Sequence, residues 1–511
     1  MTMKHYPIPS LSILFLWMAM LLVGCGRPSV PDEAQVLDKK ANIFPDYTDI
    51  VIPCNIAPLN FMVRDKGDAF AVRWDDGKGE QLTAVSGNDG ILQYDMKEWK
   101  DYLDKHKGQS MTLTIYKQEG GKWFQYRQHH IAVAAEPIDD YLSYRLIEPG
   151  YEIYRLLGLY QRNLTNFDVK TIIENPRLTY VENKTYCVNC HNYQNYSTKR
   201  MLFHARSSFG GTIIAEDGKI EKLSIKSDSI LGSAVYPSWH PRKNWIIFSS
   251  NKTGQVFRIK DKQKVEVLDH SSDIIFYNAD KHEVSNVIKT ESILETFPTW
   301  SPDGKYVYYC LSTTNINDGD PDSIKDSKTI AYSHQLKYNI MRIPFDEATM
   351  TFGPSELVFD AKAMNKSASV PRISPDGRYL LFTLGDYGQF HIWHSSSDLY
   401  VKDLETGKVF PLKAANSSNV DSYHAWSSNS RWIVFSSRRD DGSFTRTYIT
   451  YFDKNGLAHK AFMLPQEDPT YNIRLFKSFN VPELTKDAVP YTSEQFDDVI
   501  RKTEAVKVSY K

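Results

Sequence analysis

Phe297-Pro298-Thr299-Trp300-Ser301-Pro302-Asp303-Gly304-Lys305-Tyr306 decides how this chain folds. Ser-Pro-Asp-Gly makes a tight turn, since proline fixes φ at its second position and glycine tolerates positive φ. An apolar β run, Val307-Tyr308-Tyr309, follows at once, so the turn joins two strands of a hairpin. Three other stretches repeat the pattern. They are Tyr236-Pro237-Ser238-Trp239-His240-Pro241, Val370-Pro371-Arg372-Ile373-Ser374-Pro375-Asp376-Gly377, and the more divergent Tyr423-His424-Ala425-Trp426-Ser427-Ser428-Asn429-Ser430. Their β runs are Ile246-Ile247-Phe248, Leu380-Leu381-Phe382 and Ile433-Val434-Phe435. The equivalent positions 239, 300, 373 and 426 lie 61, 73 and 53 residues apart, longer than the roughly 40–45 residues of an ordinary propeller blade, so insertions are expected. Trp239, Trp300 and Trp426 are read as plugs between neighbouring units.

These repeats resemble the PD40, or WD40-like, blade of TolB-type β-propellers. The resemblance implies an all-β chain whose residues 136–480 form a propeller, with six blades fitting the spacing and seven as the alternative. Residues 481–511 are read as a C-terminal tail. Ahead of the propeller, 46–135 reads as a small β-rich, sandwich-like domain with one helix over Asp95 to Lys107. Asp95 and Glu98 form a capping box there, Met96, Trp99 and Leu103 share a face, and Gly108 closes it.

Cys187-Val188-Asn189-Cys190-His191 carries the chemistry. C-x-x-C-H is the spacing of covalent haem attachment: two thioethers to the haem vinyl groups, then an axial imidazole. A zinc site would need a second ligand pair, which the sequence does not offer. A dithiol redox motif would sit near a βαβ pattern, also lacking here. The expectation is therefore one haem c, held by Cys187 and Cys190 with His191 as proximal ligand. Downstream, Met201-Leu202-Phe203-His204-Ala205-Arg206 offers a distal ligand. In a strand, Met201 and His204 face opposite sides. His204 is the first choice, Met201 the alternative, with His240 and His334 left open. Arg206 is a candidate partner for a haem propionate.

The first 25 residues read as a lipoprotein signal: Lys4 and His5, an apolar stretch from Leu11 to Val23, then Leu22-Val23-Gly24-Cys25, with Cys25 the lipidated residue. Residues 26–45 read as a tether. The expected address is the outer membrane, periplasm-facing, with Gly26 after the anchor cysteine. Cys54 and Cys310 remain, Cys310 in an apparent strand, and a disulfide between them is left open. With 61 basic and 62 acidic residues, no nucleic-acid patch is implied.

The haem motif and propeller repeats together resemble TolB-like lipoproteins with a cytochrome c motif, of Bacteroidetes type. That implies single-electron transfer or redox sensing with a protein partner at the propeller face or haem edge. The alternative is a binding scaffold in which haem is structural. No G-x-S-x-G elbow for a hydrolase is present, and nothing in the sequence names an enzymatic activity.

Overall fold

The computed structural model describes residues 29–148, 157–175, 186–257, 263–314, 316 and 320–511. The expected lipidation site, Cys25, and the signal around it lie outside the described residues. Among those residues no helix is long and apolar enough to cross a membrane.

Six blades form a propeller. From the channel outward, blade I is Ser478–Thr485, Tyr141–Ile147, Gly158–Asn163 and Val169–Glu174. Blade II is Tyr186–Gln194, Ser197–Ser207, Gly211–Glu216 and Lys219–Ser224; blade III is Ser233–Trp239, Trp245–Phe257, Val265–Asn278 and Glu283–Ile288. Blade IV starts with Ile293–Trp300, Tyr306–Thr313 and Asn339–Asp346; blade V with Ser367–Ile373 and Tyr379–Gly385; blade VI with Asp421–Trp426 and Trp432–Ser437. The six inner strands neighbour one another in a closed ring. Each quoted repeat is the inner strand, turn and second strand of blades III to VI. Trp239, Trp300 and Trp426 are buried in separate cores between blades.

The turns form as their residues dictate. Ser301 Oγ donates to Asp303 at 2.6 Å, the Gly304 amide donates to the Ser301 carbonyl at 2.9 Å, and Gly304 has φ 70°. Blade I is built from both halves of the chain: Ser478–Thr485 pairs antiparallel with Tyr141–Ile147. This strand straddles residue 480, so the expected end of the propeller falls inside its closing strand. The segment expected as a tail continues into a helix, Ser493–Lys502, with a Thr492–Gln495 capping box. Val506–Lys507 and Ser509–Tyr510 then add edges to blades II and III.

The N-terminal domain packs a seven-stranded sheet and a three-stranded sheet with helix Met96–Lys105, capped by Asp95. Its strands begin earlier than expected: Gln35–Val36 pairs with Phe124–Gln125 and Ile43–Phe44 with Met62–Val63. Its core is continuous with Trp432, Val434, Ile449 and Phe462 of blade VI. The domain is therefore fused to the propeller flank rather than tethered beside it. Cys54 and Cys310 are free thiols.

Candidate functional site

Tyr186–Gln194 is a strand because its apolar residues alternate: Tyr186 and Val188 face a core shared with Leu157, Leu159 and Phe203. Cys187 lies opposite Arg206, and Asn189 opposite His204. Directly paired antiparallel residues share a face, so Cys187, Asn189, His204 and Arg206 form one surface. The register then slips by one residue before Asn192 pairs with Leu202. Cys190 sits in this β-bulge with φ 53°.

That bulge recurs in every blade. Tyr236, Phe297, Val370, Tyr423 and Val481 have φ between 48° and 53°, each at a register slip of its own inner strand. A non-glycine residue rarely adopts this conformation, and a β-branched one such as Val370 or Val481 more rarely still. Six such residues ring the channel, and Cys190 is the ring member of blade II. The next position is proline in four blades (Pro237, Pro298, Pro371, Pro482) and histidine in two, His191 and His424.

The ring lies within a cavity of about 1230 Å³ that Cys187, Cys190, His191, His204 and Arg206 also line. His191 is 4% exposed, and its Nε2 has no hydrogen-bond partner and lies 3.9 Å from Glu483 Oε2. Burial, with Arg145 nearby, pushes its pKa down to about 3, while a hydrogen bond to the Val481 backbone pulls the other way. With Nε2 unpartnered, that bond falls on Nδ1 and fixes the tautomer whose Nε2 lone pair is free. His204 holds Thr212 Oγ1 through Nδ1 at 3.0 Å, and its Nε2 is also unpartnered. Burial pushes His204 down to about 3, so both imidazoles are neutral at pH 7. Arg206 is exposed at the cavity margin.

Met201 is placed elsewhere. It is fully buried opposite Tyr193, in the core on the far face of the strand from His204, and is not part of the cavity wall. His240 also lies off the cavity, packed against Trp245 and Trp300 and accepting the amides of Arg242 and Lys243 on Nδ1. His334 packs against Tyr387, ring centroids 4.2 Å apart and tilted by 57°, and is not part of the cavity wall.

Several wall residues were not anticipated from sequence. Arg145 donates to Asn189 Oδ1, and Asn189 Nδ2 points at Cys187 Sγ, 3.4 Å away. Glu483 accepts from the Tyr193 amide and Asn192 Nδ2, both at 3.1 Å, and burial pushes its carboxyl up to about 8. Arg372 and His424 complete the set. His424 was signalled by breaking the proline register; the others carried no local signal.

A roof closes over part of the cavity. The second and third strands of blade III are 13 and 14 residues long, and their extension brings Thr253, Gln255, Val265 and Val267 to the cavity. Phe390, Ile392 and Trp393, from the loop after Tyr379–Gly385 in blade V, join them. The two pieces are latched by Glu266 and His394, 3.0 Å apart with side chains 2% and 1% exposed. Tyr387 Oη donates to the same carboxylate at 3.0 Å.

The residues fit a covalently held haem in donor type: two thiols and an imidazole with a free, buried Nε2 line one cavity. Among the described residues no group of three or more His, Cys, Asp or Glu could hold a bare metal ion, whereas haem iron takes only one or two protein ligands.

No protein-family model matches the sequence, and no curated protein matches it. Among solved structures, the chain is similar to an oligogalacturonate lyase from Vibrio parahaemolyticus, at 12% identity and TM-score 0.34 over 82% of this chain and 91% of that one. It is similar to the β-propeller domain of the Trilobed protease from Pyrococcus furiosus at 11% identity, TM-score 0.33, over 81% and 99%. The tricorn protease gives 12% and 0.35 over 81% and 43%. Likenesses this distant carry no argument about chemistry, and the fold rests on the sheet topology. The chain is a six-bladed β-propeller with a C-x-x-C-H segment on one inner strand.

Proposed function

We propose that this protein carries one haem c in its propeller channel and uses it for single-electron transfer or redox sensing. The observation that supports this is the shared cavity: Cys187, Cys190 and His191, whose buried Nε2 has no hydrogen-bond partner, all line it. When bound, haem supplies a one-electron couple at its iron. Cys187 and Cys190 would hold it through thioethers. His191 would be oriented by the Val481 backbone, with Glu483 facing its Nε2 at 3.9 Å, and His204 is the distal candidate on the opposing strand. Tyr236, Phe297 and Tyr423 of the ring furnish aromatic walls. The competing scaffold reading, with haem structural, gains no observation of its own. An acylated Cys25 would anchor the protein to the outer membrane, facing the periplasm, and its redox partner would be another protein.

The test is expression with a c-type haem maturation system. The denatured protein should stay red and weigh one haem more than the polypeptide. The Cys187→Ser/Cys190→Ser variant should lose the colour yet keep its β-sheet circular dichroism, since each blade needs only its own strands and neighbours. Complete loss of haem on acid–organic extraction of the wild type would overturn the proposal.

A further inference from the structure

The cavity wall is unbalanced in charge. Arg145, Arg206, Arg372, Arg438 and Lys226 line it, against two acids, Glu148 and Glu483. Glu148 already pairs with Lys477 at 3.4 Å. Among the described residues none of the four arginines has a carboxylate partner. Arg145 donates to Asn189 and leaves a buried Nε unpartnered. Arg438, 2% exposed, donates to the Ile392 and Ser443 carbonyls at 2.8 and 2.6 Å and stacks 3.4 Å over Trp393. Burying guanidinium groups without a counter-charge is costly.

Arg145 and Arg206 feel each other's charge, and the strand register puts Arg438 toward the same end of the channel. Arg145 pairs in register with Asn480 of blade I, and Arg206 with Cys187 of blade II. Arg438 directly follows the second strand of blade VI. Blades VI, I and II are consecutive around the ring, and Trp393 of the roof covers the same end. A planar guanidinium matches a carboxylate through two parallel hydrogen bonds. At about 1230 Å³, the cavity exceeds the roughly 300–1000 Å³ of a typical ligand site.

We propose that this roofed end of the channel binds a small organic anion through its carboxylate, seated on Arg145, Arg206 and Arg438 with Trp393 and Phe390 against its apolar part. The site stands whether or not haem is attached. A haem propionate has the same chemistry, so the two sources must be separated.

The experiment is calorimetric titration with benzoate, and with benzamide as its neutral isostere. Three proteins are compared: the wild type loaded with haem, the wild type made without haem, and Cys187→Ser/Cys190→Ser. Benzoate should bind all three and benzamide none. Arg145→Met should weaken benzoate by about tenfold or more, as expected for losing hydrogen bonds to a charged group. Arg206→Gln, at the exposed margin, tests the site without disturbing the interior and should weaken binding severalfold. Equal binding of benzamide, or unchanged affinity in both arginine variants, overturns the proposal. So does benzoate binding that vanishes once haem is attached, which would mark the arginines as the propionate seat. Failure of haem attachment leaves the titration on haem-free protein intact, so the two proposals fail separately.

Discussion

Replacing His394 with leucine would open the latch under the cavity roof. Glu266 would lose its imidazole partner 3.0 Å away while staying in surroundings where its side chain is 2% exposed. Leaving a buried hydrogen-bonding group without its partner costs about 1–3 kcal/mol. The propeller runs over 345 residues, from Tyr141 to Thr485. At about 2.1 cal/mol/K of unfolding entropy per residue, its total is about 0.7 kcal/mol/K. The expected fall in melting temperature is therefore about 1–4 °C, read by scanning calorimetry at pH 7. Glu266→Leu should cost a similar amount. The double variant should lose about as much as either single change, because the one contact they share is already gone. Losses that add to within about 0.5 kcal/mol, as for independent sites, would refute the latch.

Two further outcomes follow from the turns and the buried acids. Gly377 (φ 79°) has nothing within 4 Å of where a Cβ would stand, whereas at Gly304 (φ 70°) that atom would be 2.3 Å from His240 Nε2. Gly377→Ala should cost about 1–2 kcal/mol for the left-handed backbone alone, and Gly304→Ala clearly more, by urea denaturation; equal costs would contradict the close approach. Burial pushes the fully buried Asp269 carboxyl up to about 7, against about 3.9 when unfolded. A raised carboxyl binds its proton more tightly in the folded state, so its contribution to stability is lost as pH rises from about 4 to 7. The stability of wild type minus that of Asp269→Asn should decline across this window and level off above it; a flat difference would refute the shift.

The legible part of the fold was the part written in turn chemistry. Blades III to VI declare themselves through an inner-strand aromatic or proline and a Ser-Pro-Asp-Gly turn or its relic. Blade II hides because its first hairpin turns through Asn195 and Tyr196, both left-handed at 47° and 64°, instead of through Ser-Pro-Asp-Gly. Blade I hides because Val481-Pro482-Glu483 belongs to a strand whose neighbour lies more than 300 residues earlier. The C-x-x-C-H segment was legible as a motif but not as a blade strand. Only the register equating Cys190 with Tyr236 and Phe297 shows that its thiol belongs to the channel ring. Arg145, Glu483 and the Glu266–His394 latch depend on contacts between distant segments, for which no local pattern exists.

The closing strand of blade I also sets an order in time. Some 330 residues separate Ile147 from Ser478, and at roughly 5–20 residues per second a ribosome needs about 15–65 s to cover them. Throughout that interval the circle of blades stays open at one seam. Val481 and Glu483, which flank His191, have not yet been made, so one side of the Cys187–His191 strand lacks its neighbour. The closing strand thus acts as a door on the thiols. Any chemistry needing an enzyme-sized catalyst at Cys187 and Cys190 has its easiest access before that door shuts, and a chain ending at residue 477 should leave both cysteines open to thiol reagents indefinitely.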